Sequence, residues 1–260
     1  MGSSQVQGDL WGARAAEWAE LQESSFLPLY EAALNAAAVK NGTALLDVGC
    51  GAGLALATAQ QIGAKVSGID AAPGLVAIAR SRAPGADIRV GEIEELPFQD
   101  ASFDVTTGFN SFQYATDAVH ALGEAKRVTK PDGYVVVAVW GAPERCQMAG
   151  YIAALGKLLP PPPPGASGPF AFSAPGALEG FVGKAGLKPD KVATVETNMI
   201  FANEATAVRG LLASGVAERA MRHSGESAVR QGVSEAIKPF RKADGSYAFR
   251  NEWRYLVSRP

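Results

Sequence analysis

Apolar positions follow two alternating rhythms along this chain. Short unbroken runs, as in TALLDVG at 43–49, are followed by stretches where apolar residues recur every three or four positions. The first rhythm predicts buried strands, the second helices packed by one face. TALLDVG, KVSGID (65–70), ADIRV (86–90), FDVTTGF (103–109) and PDGYVVVAVWG (131–141) read as strands. LALATAQQIG (54–63), PGLVAIARSR (73–82) and DAVHALGEAKRVT (117–129) read as helices. Gly63 suits a helix C-terminus, Pro73 a first turn and Asp117 an N-cap. Such alternation predicts a parallel sheet with helices on both faces.

The two ends differ from this middle. Residues 9–39 read as helical, with Trp11, Ala15, Trp18, Leu21 and Leu29 near helical spacing and Pro28 as a break. After Gly141, LLPPPPPGASGPF (158–170) predicts a stiff, extended connector, because proline lacks the amide donor and fixes φ. A helix over 174–187, a strand over 191–201, further helix over 204–240 and a half-exposed, alternating strand over 247–260 follow. The last two strands lack a single short crossover helix between them, so they are expected as antiparallel neighbours. The expected fold is α/β: a doubly wound, mostly parallel, seven-stranded sheet, Rossmann-like, with an antiparallel last strand and a helical lid. Three regions are expected: a helical cover over 1–40, an α/β core over 41–142, and 143–260 holding the linker, the last strands and the lid insertion at about 203–240.

With 260 residues and 47% apolar content, the chain can bury a sizeable core. Its formal charge is −2 and no Lys/Arg run occurs, so no nucleic-acid partner is expected. The two cysteines, Cys50 and Cys146, lack metal-ligand spacing, and the default setting is a reduced cytoplasm with no bound metal. No stretch approaches the roughly 20 apolar residues of a membrane span, and no signal-peptide layout opens the chain.

The chemistry centres on DVGCGAG at 47–53. A strand turning into a helix through Gly49, Gly51 and Gly53 permits positive φ and close ligand approach. The helix start would offer free N–H groups to a carboxylate or phosphate. Asp47 precedes the loop, to anchor a ligand amine or hold the loop itself. Asp70 ends the second strand about 20 residues on, where an acid accepts ribose hydroxyls. A ribose-bearing ligand fits two cofactor classes. The nicotinamide fingerprint G-x-G-x-x-G is not matched, since Leu54 stands at its third glycine.

LLDVGCGAG, GIDAAPGLVAIAR, GEIEELPFQDASFDV and EAKRVTKPDGYVVV, in this order, resemble the successive motifs of the class I S-adenosylmethionine-dependent methyltransferases. The subgroup is the ubiquinone/menaquinone-biosynthesis-like (type 11) one, which includes many small-molecule enzymes. The resemblance covers roughly residues 9–141. It implies S-adenosyl-L-methionine as cofactor, S-adenosyl-L-homocysteine as product and a small-molecule methyl acceptor, in a monomer or homodimer. By position it implies that Gly49, Gly51 and Gly53 line the methionine moiety with Asp47 nearby, and that Asp70 holds the ribose. It further implies that Ala71 flanks the adenine, that Glu92 and Ile93 hold the adenine edge, and that Asn110 lies under the cofactor. Trp11 and Trp18, in a helix closing over the cofactor, would face the sulfonium.

Gln113, Tyr114, Tyr30 and His223 are the candidates for orienting the acceptor, and no catalytic base is assigned. The other histidine, His120, reads as one half of a surface pair with Glu124. Phe170, Phe172, Phe181, Met199, Phe201, Met221 and Phe240 supply apolar material for the core or an acceptor pocket. The rival readings are a nicotinamide-dependent oxidoreductase and a non-catalytic S-adenosylmethionine-binding module.

Overall fold

The structure is a computed structural model, which describes residues 2–161 and 168–260. It opens with α1 (Ser4–Gly12), α2 (Ala15–Leu21), a 3-10 turn (Glu23–Phe26) and α3 (Leu27–Ala36). The alternating part follows: β1 (Ala44–Val48), α4 (Leu54–Gln61), β2 (Lys65–Asp70), α5 (Pro73–Arg82), β3 (Asp87–Val90), β4 (Phe103–Phe109), α6 (Ala118–Val128) and β5 (Thr129–Trp140). Then come α7 (Ala149–Gly156), α8 (Ala177–Lys184), β6 (Lys188–Phe201), α9 (Glu204–Leu211), α10 (Gly215–Ser224), α11 (Glu226–Ile237) and β7 (Tyr247–Arg259). The strands form one sheet in the order β3-β2-β1-β4-β5-β7-β6. Strands β1 to β5 pair in parallel. Strand β7 runs antiparallel to both of its neighbours, β5 and β6.

The sheet is covered on both faces, as continuous apolar runs require. One core joins α3, α4 and α5 to the sheet through Leu34, Leu56 and Val76. The other joins α6 and α8 through Leu122, Val128 and Leu178. A third lies beyond the sheet, where Tyr151, Leu211, Val229 and Val233 meet Tyr247 and Phe249. The expected caps form: Asp117 accepts the His120 N–H at 2.9 Å, and Gly63 takes φ 96° after α4.

Several expectations need correction. Helix begins at Ser4, ahead of residue 9, where the helical pattern starts. Pro28 lies in the first turn of α3, where its missing donor costs nothing. Residues 204–240 form three helices and a terminal 3-10 turn; α9 and α10 are capped by Asn203 and Ser214, and Gly225 separates α10 from α11. Helix α7 was not predicted from the sequence. Strand β7 is half-exposed only in its first part. Leu256 and Val257 are buried, because this strand sits inside the sheet between β5 and β6 rather than at an edge. Within the predicted extended connector, residues 162–167 lie outside the described residues.

Candidate functional site

The site is built at the carboxyl ends of β1, β2 and β4, where the loops diverge. Gly49, Gly51 and Gly53 all take positive φ, at 75°, 54° and 84°. Their reasons differ. A Cβ on Gly49 would lie 2.4 Å from the Ser111 Cβ, and one on Gly53 would lie 2.7 Å from the Ala79 Cα. Gly53 thus serves the close packing of α4 on α5 and does not line the cavity. At Gly51 an added Cβ would meet only ordinary contacts, with Glu23 and Trp18, so this glycine answers to its φ and to the open space beside it.

A cavity opens here, bounded by Gly49, Gly51, Asp70, Ala71, Glu92, Ile93 and Asn110. From the cover it receives Trp11, Trp18 and Tyr30. Ten of the eleven residues inferred for the cofactor are therefore at the cavity or directly behind it; Gly53 is the exception. Asp47 is the one behind. It is buried and accepts the Thr107 hydroxyl at 2.7 Å. Asp70 is held by its own loops, its carboxylate accepting the N–H groups of Gly51 and Ala72 at 2.9 Å each.

One N–H of the helix start after the glycine loop already has a side-chain partner. Glu23, in the cover, accepts the Leu54 N–H at 3.2 Å and forms an ion pair with Arg82. Arg82 in turn donates to the carbonyls of Ala19 and Ala52. Glu23 thereby latches the cover to the core at this helix start. Glu92 is also engaged: it accepts the Ser4 N–H at 2.7 Å, so it anchors the start of α1 at the rim where an adenine edge was expected. Close contact continues along α1, since a Cβ on Gly8 would lie 2.4 Å from the Ala71 carbonyl oxygen.

Two buried acids, Glu23 and Asp47, and the half-buried Asp70 surround the loop. Burial raises the Glu23 carboxyl, with Arg82 opposing the rise. Burial pushes Asp47 up to about 7, against the Thr107 hydrogen bond, with the Asp70 and Glu23 charges adding to the rise. Asp70 is raised by burial and pulled back by backbone donors. Arg82 is the one cation paired with this cluster among the described residues. Such a field favours a cationic ligand.

A second cavity adjoins the first across Trp11, Trp18, Phe26, Asn110 and Tyr114, which line both. Trp11 meets Trp18 edge-to-face at 5.0 Å and Tyr114 at 5.6 Å. Asn110 holds a left-handed φ of 56°, tolerable for asparagine and common where a site dictates the backbone. Burial pushes the Tyr114 phenol up to about 12, with hydrogen bonding to Asn110 opposing it, so Tyr114 is a donor at neutral pH.

The acceptor candidates divide. Tyr114 stands at the junction of the cavities, whereas Tyr30 lines only the first. Gln113 lines neither and donates to the Asn110 side-chain oxygen, so its place is behind the site. His223 is exposed near the end of α10 and lines neither cavity, because α10 turns its apolar face, with Ala217, Ala220 and Met221, inward. His120 is exposed, and Glu124 binds Arg127 and the Leu96 N–H instead. Of the apolar residues expected to supply a pocket, only Met199 lines the second cavity. Trp140, Met148, Tyr151, Ile152, Leu155, Gln22, Ser214 and Val216 were missed. The signal was present: positions 148, 151, 152 and 155 form a helical stripe.

The strand order, the glycine loop after β1 and the acid ending β2 define a class I S-adenosylmethionine-dependent methyltransferase fold. Residues 46–137 match the family model described as a methyltransferase domain. The match spans the alternating part of the chain, from β1 into β5. It is 35% identical over 101 residues to a malonyl-[acyl-carrier protein] O-methyltransferase of Serratia marcescens, covering 39% of this chain and 40% of that protein. It is 35% identical over 112 residues to a demethylmenaquinone methyltransferase of Beutenbergia cavernae, covering 43% of this chain and 47% of that one. The alignments thus span less than half the length of each relative. The YcgJ protein of Bacillus subtilis superposes with a TM-score of 0.59 at 20% identity, over 88% of this chain and 97% of that one, a likeness of fold. Among the described residues no helix is long and apolar enough to cross a membrane, and no cluster of three or more His, Cys, Asp or Glu side chains is placed to hold a metal.

Proposed function

We propose that this chain catalyses S-adenosylmethionine-dependent methylation of a small organic molecule, on oxygen, nitrogen or carbon. One observation carries the reading: a cavity bounded by the glycine loop and Asp70 opens into a second, apolar cavity across Trp11, Trp18, Asn110 and Tyr114. The residues fit the cofactor. Gly51 leaves room beside the loop, Asp70 is oriented with lone pairs to spare for ribose hydroxyls, and Ala71, Leu75 and Ile93 offer apolar walls to a purine. When bound, the cofactor supplies an electrophilic methyl group on a positively charged sulfur.

The protein's part is placement. Asp70, joined by Asp47 once that acid ionises near pH 7, sets a negative field under the loop, while Glu23 is balanced by Arg82. The indoles of Trp11 and Trp18 exclude water and present π faces suited to a cation. Asn110 and the protonated Tyr114 orient the acceptor where the cavities meet. Proximity and orientation of this kind supply roughly 7–11 kcal/mol of a barrier. The two cysteines are buried and unpaired, which supports a reducing, cytoplasmic setting.

Calorimetric titration with S-adenosylhomocysteine and with NAD tests the cofactor assignment. S-adenosylhomocysteine is expected to bind and NAD not to bind; the reverse result refutes the reading. Transfer of labelled methyl to an acceptor panel then separates an enzyme from a non-catalytic binder.

A further inference from the structure

The second cavity is notable for what its wall lacks. Among its described lining residues there is no Lys, Arg, His, Asp or Glu. A charged group moved into such a space loses several kcal/mol of hydration with no counter-charge to replace it.

The polar groups that are present are mostly committed to the protein. The Tyr151 hydroxyl donates to the Leu211 carbonyl at 2.6 Å, and Ser214 lies 3.3 Å from the same oxygen. With the Tyr151 proton so used, Ser214 is the donor in that pair, while its own oxygen accepts the Ala217 N–H at 3.2 Å. The Gln22 amide nitrogen donates to the Gly210 carbonyl at 2.6 Å. This far wall ties cover and lid together and offers a ligand few free donors. Next to it, Trp140, Met148, Ile152 and Met199 supply aromatic and soft apolar surface. At the junction with the first cavity, polar atoms come from Asn110, Tyr114 and the indole N–H groups of Trp11 and Trp18, all of them uncharged.

We infer that the second cavity is the acceptor site and that it selects an uncharged, ring-bearing molecule with one hydroxyl or carbonyl directed at Asn110 and Tyr114. The inference rests on the methyltransferase reading for its orientation: the polar end of the acceptor faces the cofactor cavity and the apolar end faces α7. It excludes phosphorylated, carboxylated and ammonium-bearing acceptors. The absence of an ionisable base on this wall also means that a hydroxyl acceptor must be acidic in its own right, as a phenol or enol is.

The test uses the full chain saturated with S-adenosylhomocysteine and three probes of one shape: 1-naphthol, 1-naphthyl phosphate and 1-naphthylmethylammonium. Binding is read by quenching of tryptophan emission and by calorimetry. Naphthol is expected to bind at least tenfold more tightly than either ion. Ile152→Trp, and independently Val216→Trp on the opposite wall, are expected to abolish naphthol binding with S-adenosylhomocysteine affinity unchanged, which also reports that each variant is folded. Equal or tighter binding of the phosphate or the ammonium probe overturns the inference. So does naphthol binding that survives both folded variants. If S-adenosylhomocysteine itself fails to bind, it is the cofactor reading that falls, and the naphthol series without it still decides the character of the cavity.

Discussion

The two cavities share a wall of aromatic side chains and are otherwise opposites. The first is framed by backbone: positive-φ glycines, N–H groups and buried acids at the ends of parallel strands. The second is framed by side chains from helices α7 and α10 and from the cover, with no charge among the described lining residues. The difference teaches where specificity resides. The strand ends shape the first cavity through main-chain geometry, which tolerates little change. The helix faces shape the second through side chains, which can be exchanged without disturbing the sheet.

The sharpest way to break this contrast is at Asp70. Asp70→Ala removes charge-assisted hydrogen bonds to a ribose, each worth about 1.5–3 kcal/mol, and is expected to weaken S-adenosylhomocysteine binding on the order of 100-fold or more in calorimetry. Loss of the Gly51 and Ala72 contacts also lowers stability, by about 1–3 kcal/mol on melting. Unchanged affinity in a folded variant would remove the ribose assignment and with it the polar character claimed for the first cavity.

Next comes Asp47, which distinguishes the cavities by pH. Its carboxyl keeps its proton up to about pH 7 in the folded chain, but only to about 4 when unfolded. The folded state therefore binds the extra proton between these values, and stability falls as pH rises through that window. Asp47→Asn abolishes this fall. Relative to wild type, its stability is expected to gain roughly 3–4 kcal/mol between pH 4 and 7, read from denaturant midpoints. A gap that stays flat over that range would mean that the acid is hydrated and the first cavity is no enclosed, electrostatically loaded site.

The smallest effect is expected at the seam between cover and lid. The Arg209–Glu20 pair spans 3.3 Å with both side chains largely exposed. Arg209→Ala is expected to change stability by under about 0.5 kcal/mol, since exposed pairs contribute little. A larger loss would show that the cover is held by surface charge rather than by Glu23, Gln22 and the close approach of Gly8 to Ala71.

Much of this was legible in the chain. The runs around Leu45, Val66, Val105 and Val135 gave the parallel strands, and the intervening periodicity gave α4, α5 and α6, because burial on both faces or on one writes its period directly into the residues. Glycines at alternate positions and an acid ending the second strand marked the first cavity, because a site made of backbone demands particular residues at particular spacings. What the sequence left open was decided by packing. Glu23 reaching the start of α4, Glu92 holding the start of α1, β7 lying inside the sheet and the apolar stripe of α7 closing a cavity with α10 all join residues far apart along the chain. No local pattern distinguishes an apolar helix face that fills a core from one that lines a pocket. That depends on what stands opposite, which the tertiary structure alone determines.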